Sequence, residues 1–167
     1  AEGIFEHARP EAVFGLHVFS TLNAGQLGVR AGPTMAASDR FNIVVQGRQT
    51  HGSRPWGGVD PIVAAADIIG TAQTIVSRRQ DLSKQPVVVS FGAIKGGIRY
   101  NIIPDQVELV GTIRTFDDRM REAVFADLKN VAEKVAAAHG ASVEAHVPDQ
   151  DGNPVTANDP ELTARMR

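Results

Sequence analysis

The sequence predicts an α+β domain built from a four-stranded antiparallel sheet with two helices on one face. Three observations predict this fold: segments with the two-residue alternation of strands, two long segments with apolar residues three and four apart, and the order in which these segments follow one another. The chain has 167 residues, of which 43% are hydrophobic and 22% charged, an ordinary composition for a globular protein. The length suits one domain, or one domain with attached pieces of another.

The first half of the predicted unit is a strand followed by a helix. Residues 40–48 alternate between apolar and polar side chains, as a half-buried strand does. After a Gly-rich loop, Asp60 and Pro61 indicate a helix start, because Asp caps free backbone N–H groups and Pro suits the first helical position. Arg78 and Arg79 indicate its end. The predicted buried stripe of this helix is Ile62, Ala65, Ile69, Ala72 and Val76.

The second half adds two strands, a helix and a last strand. Strands are predicted at 86–94 and 106–115, with a break at Gly96 and Gly97 between them. A helix follows over about 118–139, with Gly140 as its C-terminal cap. Its predicted apolar stripe is Met120, Val124, Leu128, Val131, Val135 and Ala138. The fourth predicted strand places Val143, Ala145 and Val147 on its apolar face.

The order of elements is therefore β-α-β-β-α-β, which is the ferredoxin-like split βαβ arrangement. Both helices would cover one face of the sheet. The other face would be polar enough to meet solvent or a partner, because it carries Asn42, Gln46, Glu108, Thr112, Arg114, Glu144 and His146.

The two ends of the chain look like parts of another domain. Residues 11–19 form a compact apolar run, which predicts a strand buried on both faces, and the Gly-rich residues 23–38 predict a loop crossing between domains. Asp159 and Pro160 predict a further helix start. We therefore expect residues 1–35 and 151–167 to be pieces of a second domain into which a unit of residues 36–150 is inserted.

Charge and composition exclude several classes of partner. The net charge of −2 gives no electrostatic reason to expect binding to nucleic acid or to an anionic membrane. No apolar run approaches the roughly 20 residues of a membrane helix. Because the sequence has no Cys, any metal ligand must be His, Asp or Glu. The lack of Cys and of a visible signal peptide favours a cytoplasmic location.

Four residues are candidates for chemistry, and each also fits a structural role. His51 lies in a Gly-flanked loop, where it could stabilise an oxyanion or be an idle turn residue. Asn101 and Arg114 could hold a carboxylate, since an Arg fork and an amide both donate to it, or they could serve a turn and a surface ion pair. His17 lies near the end of the predicted buried strand, where it could be a metal ligand or a core residue.

Four stretches together resemble one known family. The stretches "VFGLHVF", "AGPTMAASDRFNIVVQGRQTHGSRPWGGVDPI", "GGIRYNIIPDQVELVGTIRTFD" and "NDPELTARM" are similar, in the same order and spacing, to the M20 metallopeptidases and amidohydrolases. The nearest subgroup contains N-acyl-amino-acid, hippurate and auxin-conjugate hydrolases. This resemblance implies a catalytic domain with two divalent metal ions, usually zinc but with manganese or cobalt also considered, and an inserted ferredoxin-like lid that forms a homodimer.

The resemblance also implies roles for the candidate residues. His17 matches a metal ligand, and His51 matches the lid histidine that polarises the scissile carbonyl in the partner subunit. Asn101 and Arg114 match the lid residues that hold the free carboxylate of the substrate. The family's catalytic Glu pair and its other metal ligands have no match in this chain, and Trp56 stands where the subgroup often has a second His.

The resulting hypothesis is the lid portion, with flanking pieces, of a metal-dependent amidohydrolase that cleaves N-acyl amino acids or related conjugates. This chain alone is expected to be inactive and to bind no metal. The alternative is a non-catalytic ferredoxin-like module that dimerises and binds a small molecule, in which His17 would be a core residue.

Overall fold

The computed structural model describes residues 3–166. In chain order, its helices and strands are α1 (Ile4–His7), β1 (Gly32–Met35), β2 (Ala37–Gln46), β3 (Thr50–His51), α2 (Pro61–Thr74), β4 (Val87–Gly96), β5 (Ile102–Ile103), β6 (Gln106–Thr115), α3 (Asp118–Ala138), β7 (Ser142–His146), β8 (Thr156–Asn158) and α4 (Pro160–Arg165). A short 3-10 turn spans Pro55–Gly57, and α2 continues into a π-helical turn at Ile75–Arg79.

The central unit is a four-stranded antiparallel sheet with the strand order β4-β6-β2-β7. Helices α2 and α3 pack against each other and against one face of this sheet. The predicted α+β fold, with its β-α-β-β-α-β order and two helices on one face, is therefore confirmed. Two small two-stranded sheets, β1 with β8 and β3 with β5, lie outside it.

Strands β2 and β6 form the longest ladder in the sheet. Their register is unbroken from the pair Ala37 with Thr115 to the pair Gln46 with Gln106. The alternation predicted for these strands is the one observed, because Phe41, Ile43 and Leu109 are fully buried under the helices. Apart from the buried Asp39 and Thr115, the polar residues of the same strands lie on the opposite surface, which we call the open face of the sheet.

Gly111 allows the ring of Phe41 to lie against the sheet. A Cβ atom at Gly111 would lie 2.2 Å from Cζ of Phe41 and 2.2 Å from the carbonyl oxygen of Ser90. Phe91 then meets Phe41 edge-on, with the ring centroids 5.1 Å apart. The centre of the core therefore depends on a residue without a side chain.

The predicted stripes of both helices were wrong in part. In α2 and its π-helical turn the buried residues are Pro61, Ala64, Ala65, Ile68, Ala72 and Ile75. Ile62 is 48% exposed, and Ile69 and Val76 are only partly buried. In α3, Ala138 is exposed, and Phe125, Ala132 and Ala136 are buried instead. Apolar residues occur on more than one side of each helix, so packing against the sheet, and not periodicity, selects the buried side.

The predicted buried strand at residues 11–19 was also wrong. Residues 8–31 contain no helix or strand, and Leu16 and Val18 are 85% and 84% exposed. A strand needs hydrogen-bonded neighbours, and none of the strands in residues 3–166 pairs with this segment. Within the predicted loop, residues 32–35 instead form β1, which pairs with β8. The predicted helix start at Asp159 is confirmed, because its carboxylate accepts from the N–H of Leu162.

A buried ion pair joins α3 to β2. The carboxylate of Asp39 is 1% exposed and accepts from Nη2 and Nε of Arg121 at 2.6 and 2.8 Å. These hydrogen bonds raise the pKa of the Arg121 guanidinium above its ordinary value. No helix in the described part of the chain is long and apolar enough to cross a membrane.

We predict that Arg121→Ala lowers the free energy of unfolding by about 3–5 kcal/mol, because it leaves the Asp39 carboxylate buried without a cation. Arg119→Ala is the matched control, since Arg119 is an exposed arginine of the same helix, and its effect should stay within about 0.5 kcal/mol. Urea denaturation followed by circular dichroism measures both. Equal effects of the two substitutions would contradict the assigned role of the ion pair.

Candidate functional site

His51 lies on a projection beyond one end of the central sheet. Strand β3 pairs with β5 through Thr50 with Ile103 and His51 with Ile102. This two-stranded piece starts just after the last residues of the β2–β6 ladder, Gln46 and Gln106. We call residues 48–59 and 98–105 the His51 arm.

Ser53 orients the imidazole ring of His51. The backbone N–H of Ser53 donates to Nδ1 at 3.1 Å, and the Ser53 hydroxyl oxygen lies 2.8 Å from the same nitrogen. Because a backbone N–H can only donate, Nδ1 must be an acceptor, and the proton of a neutral ring is on Nε2. The exposed side chain of His51 therefore presents an N–H donor, which is what stabilisation of an oxyanion requires.

Asn101 lies beside His51 on the same arm. Its carbonyl oxygen accepts from the N–H of Gly52 at 2.8 Å. A Cβ atom at Gly52 would lie 3.1 Å from that oxygen, so the two backbones are in close contact. The half-buried side-chain amide of Asn101 makes no hydrogen bond within residues 3–166, which leaves it free to bind a ligand.

Arg114 lies at the opposite end of the sheet. It pairs with Ser38 on β2 and with Val88 on β4. It is eight residues further along β6 than Gln106, a distance of about 26 Å at the usual rise of a strand. The structure therefore brings His51 and Asn101 together and places Arg114 far from both within one chain.

The guanidinium of Arg114 faces a cavity on the open face of the sheet. The cavity has a volume of about 400 Å³. Nη1 of Arg114 donates to the hydroxyl of Thr112 and, at 3.1 Å, to the carbonyl of Ile113. No carboxylate in residues 3–166 forms an ion pair with it. Arg114 is thus a half-buried cation beside a cavity, and this environment favours an anionic ligand.

The other charged side chains that the sheet strands carry on the open face are paired. Nε of Arg40 lies 3.2 Å from Oδ2 of Asp149. The amide of Asn42 donates to Glu108 at 2.7 Å and, together with Lys95, lowers the pKa of that carboxyl below its ordinary value. Among these strand residues, Arg114 is the cation that has no ion pair within residues 3–166.

His17 is exposed and is not part of a metal cluster in the described chain. Its Nδ1 lies 2.8 Å from the carbonyl oxygen of Val18, and its ring stacks on Phe19 at 4.7 Å. Because a carbonyl can only accept, this contact places the proton on Nδ1 and leaves Nε2 as a free electron pair, the form that binds metals. Residues 3–166 contain no group of three His, Asp or Glu side chains that could hold a metal ion.

The sequence reasoning missed two residues that shape the site. Ser53 fixes the ring of His51, and Thr112 holds the guanidinium of Arg114. The sequence contained a signal for each contact. Ser53 stands two residues after His51 in a turn, and Thr112 stands two residues before Arg114 on the same face of a strand.

The α+β fold described above matches one known class of domain. The model of the family described as "Peptidase dimerisation domain" of the M20 peptidases matches residues 37–140. The chain therefore belongs to the M20 family through its dimerisation domain. The family inferred from the sequence is confirmed.

Characterised relatives support the same assignment. The chain is 44% identical over 133 residues to N-acetylcysteine deacetylase of Bacillus subtilis, covering 80% of this chain and 35% of that protein. It is 38% identical to the N-acyl-L-amino acid amidohydrolase of Geobacillus stearothermophilus, covering 80% of this chain and 36% of that protein. It thus spans about a third of the length of these relatives, which are hydrolases of amide bonds.

Solved structures support the same family assignment. One neighbour, from methicillin-resistant Staphylococcus aureus and described as an aminohydrolase, has a TM-score of 0.77 and 30% identity, covering 89% of this chain and 39% of the neighbour. A Bacillus subtilis protein described as a dinuclear metal-binding peptidase of the M20 family has a TM-score of 0.59 and 35% identity, covering 83% and 34%.

We predict that His51 and His17 carry their protons on opposite nitrogens. At about pH 9, where an ordinary imidazole is neutral, His51 should be protonated at Nε2 and His17 at Nδ1, because their hydrogen-bond partners differ. Long-range ¹H–¹⁵N correlation spectra distinguish the two forms, and each histidine serves as the control for the other. A proton on Nδ1 of His51 would contradict its assignment as an Nε2–H donor.

Proposed function

We propose that this chain is the lid of a metal-dependent amidohydrolase that cleaves the amide bond of N-acyl amino acids or related conjugates. On this proposal, residues 36–150 are the lid, and residues 1–35 and 151–167 are pieces of the catalytic domain. His51 donates to the carbonyl oxygen of the scissile amide, and Asn101 and Arg114 bind the carboxylate of the substrate. The identity with two hydrolases of N-acylated amino acids supports this substrate class.

One observation carries the mechanism: His51 and Asn101 lie beyond the Gln106 end of β6, and that end is about 26 Å along the strand from Arg114. The carboxylate and the amide carbon of an N-acyl amino acid are only three bonds apart. A single chain therefore cannot place all three residues on one substrate. Two copies can, if the arm of one reaches the Arg114 end of the other.

The edge strand β4 offers a surface for such a dimer. It is one of the two outer strands of the central sheet, and its side chains Val88 and Ile94 are 47% and 61% exposed. Beside it, α2 exposes Ile62 and, about two turns further, Gly70. Apart from its own helix backbone and chain neighbours, no atom of the described chain lies within 4 Å of a Cβ placed on Gly70. A glycine in mid-helix costs about 1 kcal/mol, and close approach of a second copy would account for it.

Two-fold pairing along β4 would bring the required ends together. A two-fold axis normal to the sheet pairs two β4 strands antiparallel. The start of β4 pairs with the Arg114 end of β6, and its end pairs with Val107 near the arm. Antiparallel pairing therefore places the partner's His51 near the Arg114 end of this copy.

Metal ions belong to the proposed longer protein. The residues described here do not form a metal site, and His17 would contribute a single ligand through Nε2. Divalent ions, with zinc the first choice and manganese or cobalt as alternatives, would supply Lewis-acid activation of the carbonyl and water. A metal-binding neighbour of the same family supports this assignment in general terms. The chain by itself is then expected to be inactive.

We predict that the full-length variants His51→Ala and Arg114→Ala restore activity when their subunits are mixed. Each homodimer lacks one group in both sites, whereas the heterodimer contains one intact site and one doubly damaged site. Statistical mixing should give about a quarter of the wild-type activity on an N-acyl amino acid in the presence of Zn²⁺, Co²⁺ or Mn²⁺.

Asn101 supplies the control for this experiment. Asn101→Ala should be rescued by Arg114→Ala but not by His51→Ala, because Asn101 and His51 lie on one arm. Rescue between Asn101→Ala and His51→Ala, or no rescue in any pair, would contradict the shared site. Absence of turnover by the wild-type protein with every metal would favour the alternative of a non-catalytic binding module.

We predict that Gly70→Arg shifts the protein from dimer to monomer without unfolding it. The arginine would occupy space that is open within one chain but is needed by a second copy. Ala123→Arg is the matched control, because Ala123 is an exposed small residue of α3. Sedimentation velocity measures the state of both variants. A dimer that persists in Gly70→Arg would exclude this face of α2.

A further inference from the structure

Trp56 is the only tryptophan in the sequence, and it lies on the His51 arm with 80% of its surface exposed. A single exposed apolar residue is common on protein surfaces, so exposure alone indicates nothing. The position of Trp56 relative to His51 and Asn101 is the informative observation.

The turn that carries Trp56 is packed tightly against β3. The N–H of Arg54 donates to the carbonyl of His51 at 2.8 Å, and the hydroxyl of Thr50 donates to the carbonyl of Arg54 at 3.2 Å. A Cβ atom at Gly58 would lie 2.5 Å from the carbonyl oxygen of Arg48. The turn with Trp56 is therefore held against the strand that carries His51 and is not a loose loop.

Strand β3 has a different neighbour on each edge. On one edge it pairs with β5, next to Asn101. On the other edge, Arg48 and Val59 exchange backbone hydrogen bonds at 2.9 and 3.0 Å, and the turn with Trp56 lies between them in sequence. The segment with Asn101 and the turn with Trp56 therefore lie on opposite edges of the strand that carries His51.

We propose that Trp56 contacts the acyl group of the substrate and selects for large apolar acyl groups. This inference rests on the proposed function. In an N-acyl amino acid, the carboxylate, the amide carbonyl and the acyl chain follow one another in that order. With the carboxylate at Asn101 and the carbonyl at His51, the acyl chain extends toward Trp56. The indole offers a flat apolar surface that benzoyl or hexanoyl groups cover and that acetyl does not.

The test compares acyl groups on one amino acid. The values of kcat/KM for its N-acetyl, N-hexanoyl and N-benzoyl derivatives are measured with the full-length wild-type protein, Trp56→Ala and Trp56→Phe. Trp56→Ala should lower the ratio of the benzoyl to the acetyl value by about tenfold. Trp56→Phe should retain most of the preference, because the ring keeps an apolar face.

Tyr100→Ala is the matched control. Tyr100 is fully exposed on the same arm but lies next to Asn101, on the carboxylate side. Its removal should change kcat/KM for all three substrates by the same factor. An equal effect of Trp56→Ala on all three substrates, or an equal change of the benzoyl-to-acetyl ratio in Tyr100→Ala, would overturn the proposal for Trp56. Hydrolysis of none of them by the wild type would instead overturn the proposed function and this inference with it.

Discussion

The ladder between β2 and β6 is the constraint on which the rest of the structure depends. Its ten residues per strand pair without a bulge, so the ladder determines which residues face the helices and how far apart its two ends are. A slip of one residue would exchange the buried and open faces of β2 or β6. It would remove Phe41 from the core and Arg114 from the open face at the same time. The positions of both halves of the candidate site follow from this one register.

The two ends of the ladder have different surroundings, and this difference gives the domain its proposed role. At one end, the His51 arm continues beyond the last ladder pair, Gln46 with Gln106. At the other end, the flanking segments join the sheet, because Ser38 and Asn153 exchange backbone hydrogen bonds at 2.9 and 3.0 Å. The buried pair of Asp39 and Arg121 reinforces this end. The sheet thus acts as a rigid spacer. It separates His51, which the arm presents outward, from the Arg114 cation, which lies next to the flanking segments.

The sheet was predictable because its signals are local and agree with one another. Each signal depends on only a few neighbouring residues. These signals are the alternation in β2 and β6, the helix start at Asp60–Pro61 and the helix end at Gly140. The predictions that were wrong concern partners distant in sequence. The apolar run at 11–19 has strand composition, but no neighbouring strand in the described chain pairs with it. The buried side of α2 is chosen by the sheet below it, since Ile62 and Ile68 have the same hydrophobic character.

The sequence by itself determined the β-α-β-β-α-β order, the family and the four candidate residues, because these depend on residue type and spacing along the chain. Only the tertiary structure decided how those residues are grouped. Asn101 and Arg114 are thirteen positions apart, yet the intervening β6 strand is extended and carries Arg114 to the far end of the sheet. His51 and Asn101 are far apart in sequence, yet the pairing of β3 with β5 brings them together. Distances of this kind are set by backbone hydrogen bonds between strands, which no local pattern encodes.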